Sequence, residues 1–174
     1  IKAIIDGSCG RMGKMIIQTI VQTEDIELVG AVEYPAHPDV NKDAGVIAGV
    51  GELGVKISGK LSDVIDNADV VIEFTTPEAT LENLQMVVDA KKSMVIATTG
   101  FTDAQMGQLN ELTKQIPCVM APNMSIGVNI LLRLVSEAAK ALGDDFDIEV
   151  IEAHHNQKKD SPSGTALRIA EVIA

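Results

Sequence analysis

Short apolar runs alternate along the chain with stretches of helical spacing. Ile1 to Asp6 reads as a first strand. Arg11 to Thr23 has a period near 3.6, with Met12, Met15, Ile16, Ile20 and Val21 on or near one face. Leu28 to Val32 is a second strand-length run. Residues 34–54 are rich in Pro, Gly, Asp and Asn and read as a long loop with turns, and Val55 to Ile57 as a small strand. Val70 to Phe74 is continuously apolar apart from Glu73, as in a strand covered on both faces. Thr76 as N-cap and Pro77 at the first helical position then open a helix through Ala90. Met94 to Ala97 and Val119-Met120 are further strands, and Asp103 to Gln115 is the helix between them. Ile126 to Leu142 is a longer helix stopped by Gly143. Asp147 to Ala153 alternates polar and apolar and reads as a strand. A last helix is expected from Pro162, with Ser161 as its cap.

Strand and helix in alternation predict an α/β fold: a Rossmann-type, doubly wound parallel sheet. The change of character after about residue 120 predicts a domain boundary near residues 121–127, with a first domain over 1–125 and the start of a second, α+β domain over 126–174.

Charge and composition narrow the function. The 174 residues carry a net charge of −11, which argues against a nucleic-acid partner needing a basic face. There is no Trp, one Tyr and three Phe, so base-stacking platforms are nearly absent and the core is aliphatic. No apolar run reaches the roughly 18 residues of a membrane span. Cys9 and Cys118 are far apart, with no CxxC or Cys/His ligand spacing, so reduced thiols and no metal site are expected. No signal-peptide pattern opens the chain, and Ile1 is not an initiator Met, which suggests trimming at that end.

Gly7-Ser8-Cys9-Gly10-Arg11-Met12-Gly13 joins the first strand to the first helix. In such a loop Gly7 permits the tight turn, Gly10 lets a pyrophosphate approach backbone N–H groups, and Gly13 lets helix and strand pack closely. Glu33 follows the second strand, 20 residues past Gly13, where a carboxylate would accept hydrogen bonds from ribose hydroxyls. Its charge favours NADH over NADPH, although Arg11 could offset it. Cys9 stands in the usual middle-glycine place, so the loop must differ somewhat in shape. Ala97-Thr98-Thr99 and Ala121-Pro122-Asn123-Met124 follow other strands, where ligands of parallel sheets sit. Taken alone, each of these segments also fits ordinary loop and cap chemistry.

The stretch from Glu152 to Thr165 holds two adjacent histidines, His154 and His155, then Lys158 and a helix start. Histidine exchanges protons near neutral pH. Lysine neutralises carboxylates, and N–H groups around Ser163, Gly164 and Thr165 can hold an anion. Each residue alone could be plain polar loop. Beside a dinucleotide domain they suggest a proton donor and an anion clamp.

GSCGRMG at 7–13, EFTTPEAT at 73–80, IATTGF at 96–101, APNMSIGVN at 121–129 and IEAHHNQKKDSPSGTA at 151–166 together resemble the 4-hydroxy-tetrahydrodipicolinate reductase family of the diaminopimelate–lysine pathway. The resemblance implies a cytoplasmic NAD(P)H-dependent oxidoreductase that reduces a small dicarboxylate, giving tetrahydrodipicolinate with loss of the 4-hydroxyl as water. It implies His154 as proton donor with Lys158 as partner acid. His155, Lys158, Gly164 and Thr165 would hold the substrate carboxylates. Gly7, Ser8, Cys9, Gly10, Arg11, Met12, Glu33, Ala97, Thr98, Thr99, Ala121, Pro122, Asn123 and Met124 would contact the cofactor. It also implies a homotetramer and a chain running well beyond Ala174, completing the second domain. Ala97 and Met124 depart from a common Gly and Phe, and Tyr34 replaces an Arg found in dual-cofactor members, which keeps NADH preferred. A non-catalytic dinucleotide-binding fragment and another Rossmann reductase acting on an amino-acid semialdehyde are the competing readings.

Overall fold

The computed structural model describes every residue except 155 and 157–160. Contacts divide the chain into two compact units, Ile1–Met120 and Ala121–Ala174. The first unit is a six-stranded parallel sheet in the order β3-β2-β1-β4-β5-β6. Its strands are β1 (Lys2–Asp6), β2 (Glu27–Val32), β3 (Ile57–Ser58), β4 (Val70–Glu73), β5 (Ser93–Ile96) and β6 (Cys118–Met120). Around them run α1 (Arg11–Val21), α2 (Ala44–Ala48), α3 (Pro77–Asp89) and α4 (Asp103–Thr113).

Alternation along β1 shows why both faces are covered. Ala3 and Ile5 join Ile17 and Ile20 of α1 and Ala44 and Ala48 of α2 in one aliphatic core. Ile4, pointing the other way, joins Leu84 and Val87 of α3 and Leu109 of α4 in a second core. The chain thus reverses direction across the sheet between β1 and β4, and the open crevice lies at their carboxyl ends.

Local chemistry explains most boundaries. Thr76 caps α3 by accepting from Ala79 N, with Pro77 behind it, as expected. Thr102 and Gln105 form a reciprocal capping box on α4. Two details of this unit differ from what spacing predicts. The buried face of α1 is Gly13, Ile17 and Ile20, while Met12, Met15 and Val21 are exposed. A helix face against a sheet is set by close approach, and glycine permits the closest. The expected loop at 34–54 contains α2, nucleated because the Asp43 carboxylate accepts from Gly45, Val46, Leu53 and Gly54 N–H groups.

The second unit holds α5 (Ile126–Leu142) and α6 (Gly164–Ile173), packed on each other. Gly143 ends α5 with φ 68°, in line with its glycine stop. Asp147 to Ala153 forms no strand. A strand exists through its ladder, and among the described residues no neighbouring segment pairs with this one. Ile148, Val150 and Ile151 instead help line an apolar groove of about 340 Å³ with Val135, Ala139 and Ile169. Among the described residues no helix is long and apolar enough to cross a membrane.

Candidate functional site

The β1–α1 turn is built on contacts that only glycine permits. Gly7 has φ +81°, and a Cβ there would sit 2.3 Å from the Phe74 carbonyl oxygen. A Cβ on Gly13 would lie 2.3 Å from the Gly7 carbonyl oxygen, so this residue seats α1 against the turn. Gly7 N and Ser8 N both donate to Val32 O at 3.0 Å, tying the turn to the end of β2. Gly10 is the N-cap of α1 and supplies no side-chain acceptor. The first-turn N–H groups of Arg11, Met12 and Gly13 thus end the helix without a side-chain cap, at the positive end of its dipole. Cys9 keeps an ordinary negative φ, which is why this position accepts a side chain.

These residues border a cleft of about 300 Å³ lined by Gly10, Arg11, Met12, Gly13, Phe74, Thr75, Ala97, Thr98 and Thr99. The loops after β1, β4 and β5 therefore meet, as the parallel topology requires. Glu33 lies at the root of the same turn: Cys9 N donates to its Oε2 and Tyr34 N to its Oε1, both at 3.1 Å. An uncapped helix N-terminus, a glycine cradle and an adjacent fixed carboxylate fit the phosphates and ribose of a dinucleotide.

Two buried acids under the cleft escape a reading by spacing. Glu73 is fully buried and ends β4. It accepts from Thr75 N at 2.9 Å, from Thr80 Oγ1 at 2.9 Å, from Thr98 Oγ1 at 2.9 Å and, in a very short contact, from Thr75 Oγ1. Thr75 N also donates to Thr98 Oγ1. One carboxylate thus locks the hydroxyls that line the cleft on both neighbouring loops. The only sequence signal was an acid ending an otherwise apolar strand ahead of two threonines.

Asp6 is paired with Glu73 across the β1–β4 register and accepts from Asn83 Nδ2 at 2.6 Å. Burial, and then the Glu73 charge, push its carboxyl up to about 7. The folded protein therefore holds this proton more tightly than the unfolded chain. The associated stability is fully present below the ordinary aspartate range and is lost as pH rises towards about 7. Asp6→Asn is expected to flatten this fall, of which on the order of 2–3 kcal/mol lies between pH 5 and pH 8, in urea unfolding curves compared at those two pH values. An unchanged pH slope in the variant would exclude Asp6 as the titrating group.

In the second unit, Asn123 organises the segment Ala121–Met124. Its Oδ1 accepts from Ser125 N at 2.9 Å, and its Nδ2 donates to Thr165 Oγ1 at 3.2 Å. Gly164 lies beside Pro122, with ordinary space for a Cβ (3.7 Å), so the protein itself does not demand glycine there. Helix α6 begins at Gly164, not at Pro162, and its cap is Ser163, whose Oγ accepts from Ala166 N. The cap differs from Ser161 because only Ser163 stands one residue before the first helical residue. Ser163 N is not free for an anion either: it donates to Glu152 Oε1 at 2.8 Å. Gly164 and Thr165 remain as first-turn donors.

Glu152 is the organising residue that the sequence reading left without a role. Its other oxygen, Oε2, lies 3.2 Å from His154 Nδ1. One carboxylate thereby ties the histidine to the start of α6. Holding Nδ1 leaves Nε2 as the nitrogen available for proton exchange. His155 and Lys158 lie outside the described residues.

The family model described as dihydrodipicolinate reductase, N-terminus, matches residues 1–124, and that for the C-terminus matches 127–174. Proteins named 4-hydroxy-tetrahydrodipicolinate reductase are similar over all 174 residues: 51% identical in Geotalea daltonii and 52% in Trichlorobacter lovleyi. The chain spans 65% of the length of each. A dipicolinate-bound dihydrodipicolinate reductase from Paenisporosarcina sp. TG-14 superposes with a TM-score of 0.77 at 32% identity, covering 100% of this chain and 65% of that one.

Proposed function

Because the chain belongs to the dihydrodipicolinate reductase family, we propose that it carries the cofactor site and the proton-donating segment of a 4-hydroxy-tetrahydrodipicolinate reductase. The reaction consumes one hydride and one proton and yields tetrahydrodipicolinate and water. It serves lysine and diaminopimelate biosynthesis. The bound nicotinamide supplies the hydride. Residues 1–125 form the dinucleotide domain and 126–174 open the substrate domain of a cytoplasmic homotetramer.

The chain's own residues divide the remaining work. First-turn amides of Arg11 and Met12 hold the pyrophosphate, with Gly7 to Gly10 giving the backbone room to approach it. Glu33 takes the adenosine ribose hydroxyls. Ala97, Thr98, Thr99 and Ala121 to Met124 border the nicotinamide half. His154 delivers the proton, with Lys158 as partner acid. His155, Lys158, Gly164 and Thr165 bind the substrate carboxylates. In a protein of net charge −11, that local basic cluster is where a dianion would collect. The observation that carries the reading is the Glu152 carboxylate, which joins His154 to the anion-binding start of α6.

The test is NADH oxidation followed by absorbance, with and without freshly generated dihydrodipicolinate precursor. Precursor-dependent oxidation supports the reading. Binding of NADH without oxidation favours a non-catalytic dinucleotide module, and turnover on an amino-acid semialdehyde alone favours a different reductase.

NADH is the preferred cofactor in this reading, since a 2′-phosphate would meet the Glu33 charge and Tyr34 adds no cation. Glu33→Gln is expected to weaken NADH by about tenfold, through loss of charge-assisted hydrogen bonds, and to narrow the gap to NADPH. Fluorescence titration with both cofactors reads this out, and an unchanged NADH affinity would remove Glu33 from the site.

A further inference from the structure

Cys9, Glu33 and His37 come from two loops that follow neighbouring strands. A thiol sulfur, a carboxylate oxygen and an imidazole nitrogen there all lie within 4.8 Å of one another, and the three residues are half-buried. Each is held in place. Glu33 is fixed by the Cys9 and Tyr34 N–H groups. The His37 ring packs edge-on to Tyr34, with centroids 5.1 Å apart. The Asp39 backbone N–H donates to His37 Nδ1 at 3.2 Å, which holds the ring in place. Burial and the Glu33 charge push the Cys9 thiol up, a cost that a cation between them would reverse.

We infer that Cys9, Glu33 and His37 form a three-ligand site for a divalent cation of the zinc class, overlapping the place proposed for the adenosine ribose, so that metal and dinucleotide exclude each other. Sulfur, nitrogen and oxygen donors together suit zinc and not magnesium or calcium, which take oxygen alone. Metal–ligand bonds of roughly 2.0–2.3 Å bring the donors somewhat closer than they stand, within the reach of side-chain rotation. Three protein ligands leave the fourth tetrahedral position to water. The thiol proton leaves to solvent on binding. The metal site stands on its own geometry, and only its competition with dinucleotide rests on the proposed role of Glu33.

Titration of the reduced full-length protein with Co²⁺, and with Zn²⁺ against a chromophoric chelator, tests this. The expected result is one metal per chain and a near-ultraviolet thiolate-to-cobalt band. Affinity should fall by about tenfold or more in both Cys9→Ser and His37→Gln, and added NADH should weaken Zn²⁺ binding. Absence of the thiolate band, or unchanged affinity in both variants, overturns the site. A thiolate band that both variants lose but NADH does not disturb upholds the metal site and overturns the assignment of Glu33 to the ribose.

Discussion

Turnover is expected to fall by about 10²–10⁴-fold when His154 is replaced by Gln, with NADH affinity nearly unchanged. His154 Nδ1 lies 3.2 Å from Glu152 Oε2, and the same carboxylate accepts from Ser163 N at the start of α6. The imidazole is therefore oriented by a group that also fixes the proposed carboxylate clamp. Glutamine keeps a polar amide of similar reach but has no proton to give near neutral pH. Hydride would still have a route to substrate, while the negative charge that develops opposite it would go unneutralised. Steady-state kinetics at saturating NADH measure this. Lys158→Ala is expected to cost both turnover and substrate affinity, since it would serve as acid partner and carboxylate ligand. Near-normal turnover in both variants would sink the assignment.

The second large effect is structural in origin. Gly7→Ala should destabilise the first unit by about 2–5 kcal/mol, from a non-glycine residue at positive φ and a forced shift of packed backbone. The added methyl would stand 2.3 Å from the Phe74 carbonyl oxygen at φ +81°. The opposing atom is backbone at the end of β4, so no side-chain rotation relieves the clash. Whatever folds should carry a displaced turn, and with it displaced first-turn amides at α1. Urea unfolding reads the stability, and NADH titration of the folded fraction reads the site. A variant with native stability would mean that the turn can open without cost.

Much of the architecture was legible in order and spacing. The six strands announce themselves as short apolar runs because a sheet covered on both faces admits few polar residues. Gly7 and Gly13 mark the first turn because a Cβ at either would stand 2.3 Å from a backbone oxygen, while Gly10 meets a looser limit of 3.2 Å. Other parts were not legible. Alternation at Asp147 to Ala153 suggests a strand, yet pairing depends on a partner segment, which periodicity does not report. The start of α6 was misplaced by two residues because Ser161-Pro162 and Ser163-Gly164 are both plausible caps, and only the hydrogen bond from Ala166 N to Ser163 Oγ chooses between them.

The sequence by itself determined the parallel sheet, the glycine turn and the position of the acid after β2. These follow from local sterics and from hydrophobic period, which each residue carries with it. Tertiary structure alone decided which polar groups meet. Cys9 reaches Glu33 across 24 residues, Glu73 reaches Thr98 across 25, and Glu152 reaches Ser163 across 11. It also set Asp6 against Glu73 and His37 beside Cys9. Charge, burial and ligand geometry act through distance in space, and that distance exists only after the strands have taken their order in the sheet and the loops have closed.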